Sequence, residues 1–336
     1  NAWPNQHLDM NGTGFSAKPI INMKEMTDEE KAVEAQKLND AINNVENGTT
    51  EWNGTTVKEP KKDGNTLYIG EASELAWLSQ VTNDGDTTKY NVELTNDIDL
   101  NNKPWKAIAS FSGVFNGNGH KITNLNINVT ADADDKEINQ GLFKKIEGVK
   151  GSFLYEYAEV KNLTIEGKAQ SGKAGLGSVA GAIKYVNVEN VTSNVEITGR
   201  GSVGGLFGEI KFANLKNCIN LGDVEASGFG AGGITSGAYY STFANCGNEG
   251  KVTSKAYYVG GIVGTVTVYR DYEDGITDCY NTGDITAKDN VGGIVGSYST
   301  YSKGSSNPIT YIKNVYNTGN VTATGTLKTT VAGGIV

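Results

Sequence analysis

A pair of adjacent glycines returns five times in the second half of this chain, at Gly204-Gly205, Gly232-Gly233, Gly260-Gly261, Gly292-Gly293 and Gly333-Gly334. Counted on the second glycine, the steps are 28, 28, 32 and 41 residues. A second unit travels with the first: Asn217-Cys218-Ile219-Asn220, Asn245-Cys246-Gly247-Asn248, Asp278-Cys279-Tyr280-Asn281 and Asn314-Val315-Tyr316-Asn317. A period of this size marks stacked structural repeats, because one such unit cannot bury its own apolar face. Each unit contains short runs rich in Val, Ile, Leu or Phe, bounded by Gly and Asn, which reads as several short strands per coil. Stacking the coils in register joins their apolar faces into one core and pairs each strand with those above and below. Glycine at the corners supplies turn angles closed to other residues. Asn220, Asn248, Asn281 and Asn317 then line up as a side-chain ladder at the ~4.8 Å spacing of paired strands. Gly141, Ser178 and Gly205, at steps of 37 and 27 residues, carry the pattern back toward the start of the coils and show that the second glycine is replaceable.

Ahead of the repeats the text differs. Residues 1–64 read as a lead-in: an extended opening without period, then one amphipathic helix. Thr27 supplies its N-cap, with acidic residues in the first turn, and Ala35, Leu38, Ile42 and Val45 form its apolar stripe. Asn65 to Ile69 reads as a strand and Ala72 to Val81 as a short helix with Leu75, Leu78 and Val81 on one side. An exposed end of a stack is an edge that something must cover, so residues 65–89 are the expected cap and 90–336 the coils.

From Tyr90 onward the order of motifs is specific. An Asp-Ile-Asp-Leu run ends at Leu100 and Trp105 follows. Phe111 then opens a Phe-x-Gly-x-Phe-x-Gly-x-Gly-His-x-Ile run ending at Ile122, and Gly-Leu-Phe ends at Phe143. This order resembles the opening segment of GLUG-repeat proteins of bacterial surfaces, and the later Gly-Gly-[Ile/Leu]-[Val/Phe]-Gly units resemble the GLUG repeat itself, over about residues 65–336. The resemblance implies an all-β, right-handed parallel β-helix (a solenoid) on an exported, often adhesin-like protein. The family also includes segments of immunoglobulin A proteases. The expected fold is that β-helix with an N-terminal helical or irregular region and a short capping helix.

Composition closes off several functions. The net charge of −9 argues against nucleic acid, where a basic face is expected. No run approaches the roughly 18 apolar residues of a spanning helix, so membrane attachment is expected only through an anchor outside this chain. The chain starts at Asn1 with no hydrophobic signal region, which reads as processed or trimmed and fits a secreted or bacterial cell-surface location. The last unit, Val331 to Val336, lacks the glycine that closes the motif at Gly264 and Gly296, and no capping unit follows. The natural polypeptide is therefore expected to continue, or another molecule to cover that end.

Catalytic constellations are sparse. Cys218, Cys246 and Cys279 share one repeat position with Val191 and Val315, which predicts small buried side chains, unpaired, rather than a disulfide or metal site. Asn281-Thr-Gly-Asp284 and Gly119-His120 loosely match hydrolase motifs of β-helix enzymes. The first recurs one coil later from Asn317 to Asn320, which marks it as a ladder element. Neither His7 nor His120 begins a His-Glu-x-x-His zinc motif. The acidic groups at Asp84 and Asp86, at Asp97 and Asp99, and at Asp132, Asp134 and Asp135 do not follow a calcium-loop pattern. No cofactor and no metal are expected.

The remaining candidates are aromatic. Tyr239, Tyr240, Tyr269, Arg270, Tyr272, Tyr298 and Tyr301 fall between the glycine strand and the cysteine strand of successive coils, and so are expected on one side of the stack. They fit a sugar or protein ligand, since tyrosine offers flat area and a hydroxyl at small entropic cost, or they close the loops by packing on one another. The expected function is a non-enzymatic, adhesin-like surface protein that binds a host glycan, mucin or surface protein. A carbohydrate-active lyase or hydrolase on the same fold is the alternative.

Overall fold

A computed structural model describes Thr27 and residues 51–336, apart from 135–137, 256, 270–272, 302–308 and 327–329. The chain divides into two units, Asn1–Glu51 and Trp52–Val336. The helix expected after Thr27 lies outside the described residues.

The second unit starts earlier than the sequence suggests. Trp52 is buried, with its ring centroid 6.0 Å from that of Trp105. Lys58 N–H donates to the Ser73 carbonyl, and Lys61–Asp63 pairs antiparallel with Thr66–Ile69. Residues 52–64, expected in the lead-in, therefore belong with the coils. The expected strand is Thr66–Ile69 and pairs in parallel with Asn91–Leu94, so it is already a rung of the stack. The expected helix is α1, Ala72–Asn83. Leu75 and Leu78 are buried, and Glu74 accepts the Gly70 N–H at 2.8 Å, satisfying a donor ahead of the first turn. At its far end Ser79 and Asn83 donate to the carbonyls of Lys106 and Ala107.

From there the chain winds in coils whose strands pair in parallel with the coil before and the coil after. One series of neighbours is Phe207–Lys216, Thr235–Tyr239, Val263–Tyr269 and Val295–Tyr301. A second is Ile219–Asn220, Gly247–Asn248, Tyr280–Asn281 and Tyr316–Asn317. A third is Val224–Ala226, Val252–Ser254, Ile285–Ala287 and Val321–Ala323. The glycine pairs form their own five-stranded sheet, from Val203–Gly204 to Ala332–Gly333. Alternate residues point inward, so Phe115, Phe143, Phe207 and Phe243 are buried, along with Ile or Val at the same level of each coil.

The interior asparagine ladder forms as expected. Asn220 Nδ2 donates to Asn248 Oδ1 at 2.8 Å, Asn248 to Asn281 at 2.7 Å and Asn281 to Asn317 at 2.6 Å. Each amide also donates to the carbonyl two residues on, as Asn248 does to Gly250. The ladder explains the second glycine of each pair. A Cβ on Gly233 would stand 2.1 Å from the Gly261 carbonyl oxygen and 2.3 Å from Asn248 Cγ. One coil earlier, Ser193 occupies the ladder slot, paired in register with Asn220, and Ser178 replaces the glycine. The Asn220 Oδ1 and Ser178 Oγ atoms are buried there without a hydrogen-bond partner.

A second, exterior ladder runs along a corner where asparagine adopts φ values of 53–55° at Asn162, Asn190, Asn217, Asn245 and, as aspartate, Asp278. Asn190 Nδ2 donates to Asn162 Oδ1, Asn217 to Asn190 and Asn245 to Asn217, at 3.0, 2.8 and 2.7 Å. Asn and Asp tolerate this left-handed conformation better than other residues with a Cβ.

Cys218, Cys246 and Cys279 are free and buried, as the repeat position predicts. Cys246 N–H points at Cys279 Sγ at 3.4 Å. Hydrogen bonding with Cys218 and burial hold the Cys246 thiol well above its usual range.

Candidate binding surface

The corner between the glycine-side strands and the following strands carries a stack of aromatic rings. Tyr185, Phe212 and Tyr240 turn this corner as single residues at φ 55°, 49° and 51°. Their ring centroids lie 4.7 and 4.5 Å apart, with interplanar angles of 12° and 4°. Tyr155, from a short hairpin, lies 3.6 Å above Tyr185 at 11°. Each inner ring thus spends its faces on its neighbours. Among the described residues Tyr240 ends this run of rings, with one face packed on Phe212.

Tyr239 ends the preceding strand, half-buried, with Lys211 Nζ 5.0 Å from its ring centre. In the next two coils the same corner is replaced by longer strands. Val263–Tyr269 and Val295–Tyr301 continue in parallel register to the pair Tyr269 and Tyr301, and Glu273–Thr277 pairs with Ile309–Lys313 on the return. Arg270 and Tyr272 lie outside the described residues, as do the side chains of Tyr269 and Tyr301. Tyr298 is partly exposed and faces a shallow crevice shared with Phe243, Val266 and Tyr311. The Tyr311 ring lies over Gly275, where a Cβ would come within 2.6 Å of it. Among the described candidates, Tyr239 and Tyr240 lie at a corner, while Tyr269, Tyr298 and Tyr301 sit on the lengthened strands of the same parallel series. The Cys279 coil adds five residues to the 28-residue spacing, and its strands extend past the Tyr240 corner.

Other aromatics lie outside the seven candidates. Tyr280 and Tyr316 stack at 5.7 Å on an outward strand face, and Tyr280 OH donates to Glu249 at 2.9 Å. Burial, then Glu249, raises the Tyr280 hydroxyl to about 12. Gly247 makes room for that ring, since a Cβ there would lie 2.2 Å from it. At another corner Phe229 is exposed and meets Tyr258 edge-on at 5.1 Å. A cleft of about 210 Å³ opens between α1 and the segment around Trp52, lined by Trp52, Val57, Ala76, Gln80, Pro104 and Trp105. Both indole N–H groups are spent internally, on Thr56 and Leu142 carbonyls.

The residues that resemble hydrolase motifs have structural partners. Asn281 is a rung of the interior ladder, and Asp284 Oδ1 accepts both the backbone and side-chain N–H of Asn320 at 2.9 Å. His120 Nδ1 lies 3.1 Å from Asp97 Oδ1 on the surface. The Lys121 N–H, then His120, lowers the Asp97 carboxyl below its ordinary value. Among the described residues no helix is long and apolar enough to cross a membrane.

Comparison with known proteins agrees with the repeat. Residues 255–286 match the family model described as the GLUG motif, so the chain carries that motif. Its fold is similar to the crystal structure of a "putative immunoglobulin A1 protease" from Bacteroides ovatus, with a TM-score of 0.50 and 16% identity over 78% of this chain and 87% of that one. No curated protein matches the chain.

Proposed function

We propose that this chain is a right-handed parallel β-helix that serves as a non-catalytic binding module at a bacterial surface or in secreted form, with a glycan, mucin or host surface protein as ligand. Right-handedness follows from the strong chirality rule for connections between parallel strands of one sheet. The GLUG motif supports an extracellular setting, as the expected family is one of surface proteins. The observation that carries the binding role is the lengthening of adjacent strands at Val263–Tyr269 and Val295–Tyr301. Insertions confined to one side of a repeat stack are commonly its working surface. Tyr298 and Tyr311, each 37% exposed, offer aromatic area there.

The test is a glycan and mucin binding screen with the full chain, followed by the Y298A/Y311A double variant and, as a packing control, Y240A. Wild-type binding reduced at least tenfold by the double variant, with Y240A lowering stability alone, is the expected result. Absence of binding to any glycan or mucin, or binding unchanged in Y298A/Y311A, refutes the site. Cleavage of a polysaccharide or of immunoglobulin A1 by the purified chain refutes the non-catalytic role.

A further inference from the structure

One hairpin leaves the coils. Val149–Lys150 and Tyr155–Glu156 pair antiparallel, and Gly151 N–H donates to the Leu154 carbonyl at 2.9 Å across the turn. The hairpin base is fixed tightly. Gly148 N–H donates to the Lys184 carbonyl, and a Cβ on Gly148 would come within 2.4 Å of the Glu156 carbonyl oxygen. Tyr155 stacks on Tyr185, Tyr157 meets the same ring edge-on at 5.9 Å, and Glu156 pairs with Lys89 at 2.8 Å. What this base holds out is apolar: Phe153 is 98% exposed and Leu154 81%. Val149 is also exposed.

We propose that this hairpin is a membrane-contacting finger that inserts Phe153 and Leu154 into the interfacial zone of a lipid bilayer. Two features favour lipid over a protein partner. The tip's apolar side chains offer roughly 400 Å² at most, below the roughly 800 Å² per partner of a standard protein interface but adequate for interfacial insertion. The arrangement is also layered as a bilayer is. Phe153 and Leu154 lie at the tip. Tyr155 and Tyr157, whose rings suit headgroup depth, stand at the base. Lys150 is the one charged residue from Val149 to Leu154, and its stem reaches back toward phosphates. A strand pair of this length projects about 10 Å, which matches the ~5–10 Å depth of interfacial anchors. The chain's net charge of −9 makes zwitterionic lipid the fitting surface. This contact would supplement any anchor outside the chain, and it does not depend on the glycan reading.

The full chain is mixed with phosphatidylcholine vesicles and floated on a density gradient, beside F153S/L154S. Both changed side chains point into solvent, so the variant is expected to keep the wild-type circular dichroism spectrum. Wild type should co-float, and the variant should partition at least tenfold more weakly per replaced side chain. A polarity-sensitive fluorophore attached at L154C should shift to the blue on vesicle addition, while the same label at K168C should not. Wild type that stays with the soluble fractions, or F153S/L154S that floats equally well, overturns the proposal. Self-association of the wild type that F153S/L154S abolishes would assign the tip to a second copy instead, and overturns it too.

Discussion

Among the described residues, the junction between Ser193 and Asn220 is where the interior ladder is left incomplete, and repairing it should stabilise the chain. Asn220 Oδ1 and Ser178 Oγ are both buried without a partner, and Ser193 Oγ donates instead to the Gly205 carbonyl at 3.2 Å. The S178G/S193N double variant would give this coil the same glycine and asparagine as the next. Asn at 193 can then donate to Asn220 Oδ1, as Asn220 does to Asn248 at 2.8 Å. Two relieved orphan groups are worth about 1–3 kcal/mol each. Against that stand about 0.5–1 kcal/mol for the added glycine and about 1 kcal/mol for the lost Ser193 bond. A net gain of up to about 4 kcal/mol remains, about 2 kcal/mol at the middle of these ranges. S193N alone should destabilise, because its amide would press on the Ser178 side chain in the space that glycine clears elsewhere. The two changes should therefore couple by more than about 1.5 kcal/mol, far outside the additive range. Urea unfolding followed by circular dichroism, with amide exchange at Asn220 as a local readout, measures all four corners of the cycle. A double variant less stable than wild type, or S193N as stable as the double, refutes the reasoning.

Two further outcomes follow from the same geometry. Asp278 stands in the exterior ladder and accepts from Asn314 at 3.1 Å, yet a carboxylate has no hydrogen to give Asn245 Oδ1. D278N should restore that link and raise stability by about 0.5 kcal/mol, small because the site is exposed, as measured by the urea midpoint; a lowered midpoint would count against the ladder. The Tyr280 hydroxyl is held at about 12 by burial and then Glu249, above its ordinary value of 10.0. A raised folded-state value favours the protonated form, so its stabilisation is complete below pH 10 and is lost as pH climbs toward 12. Thermal melts across that window should show a decline that Y280F lacks, and identical pH profiles would refute the assignment.

Much of this architecture is legible because the repeat writes the same constraint several times. Asn220, Asn248, Asn281 and Asn317 occur at one position in four coils, and only a stack puts them within bonding distance. The cysteines were readable for the same reason, since Val191 in their slot points to an apolar environment. The exterior ladder was present in the text as the first residue of each Asn-Cys unit. Its role was hidden because it depends on a left-handed backbone that sequence does not display. The stack of Tyr155, Tyr185, Phe212 and Tyr240 was less visible still. Its members mix two residue types, and one arrives from a hairpin outside the period. The tyrosines are legible as one series of positions, whereas the lengthening of their strands is not. A coil of 28 residues closes at Tyr240, and only the added residues of the Cys279 coil lengthen its strands. The start of the second unit is not legible locally, because Trp52 docks on Trp105, a tertiary contact with no sequence pattern.

The two asparagine ladders run in opposite senses. Inside, each amide donates forward to the following coil, from Asn220 to Asn248 and on to Asn317. Outside, each donates backward, from Asn245 to Asn217 and on to Asn162. A single aligned column of amide dipoles would add up along its length, as peptide dipoles do in a helix, and charge its two ends more strongly with every coil. Opposed columns offset one another instead. Coils of this kind can be gained or lost without a growing field along the winding axis, which leaves repeat number free to set reach alone.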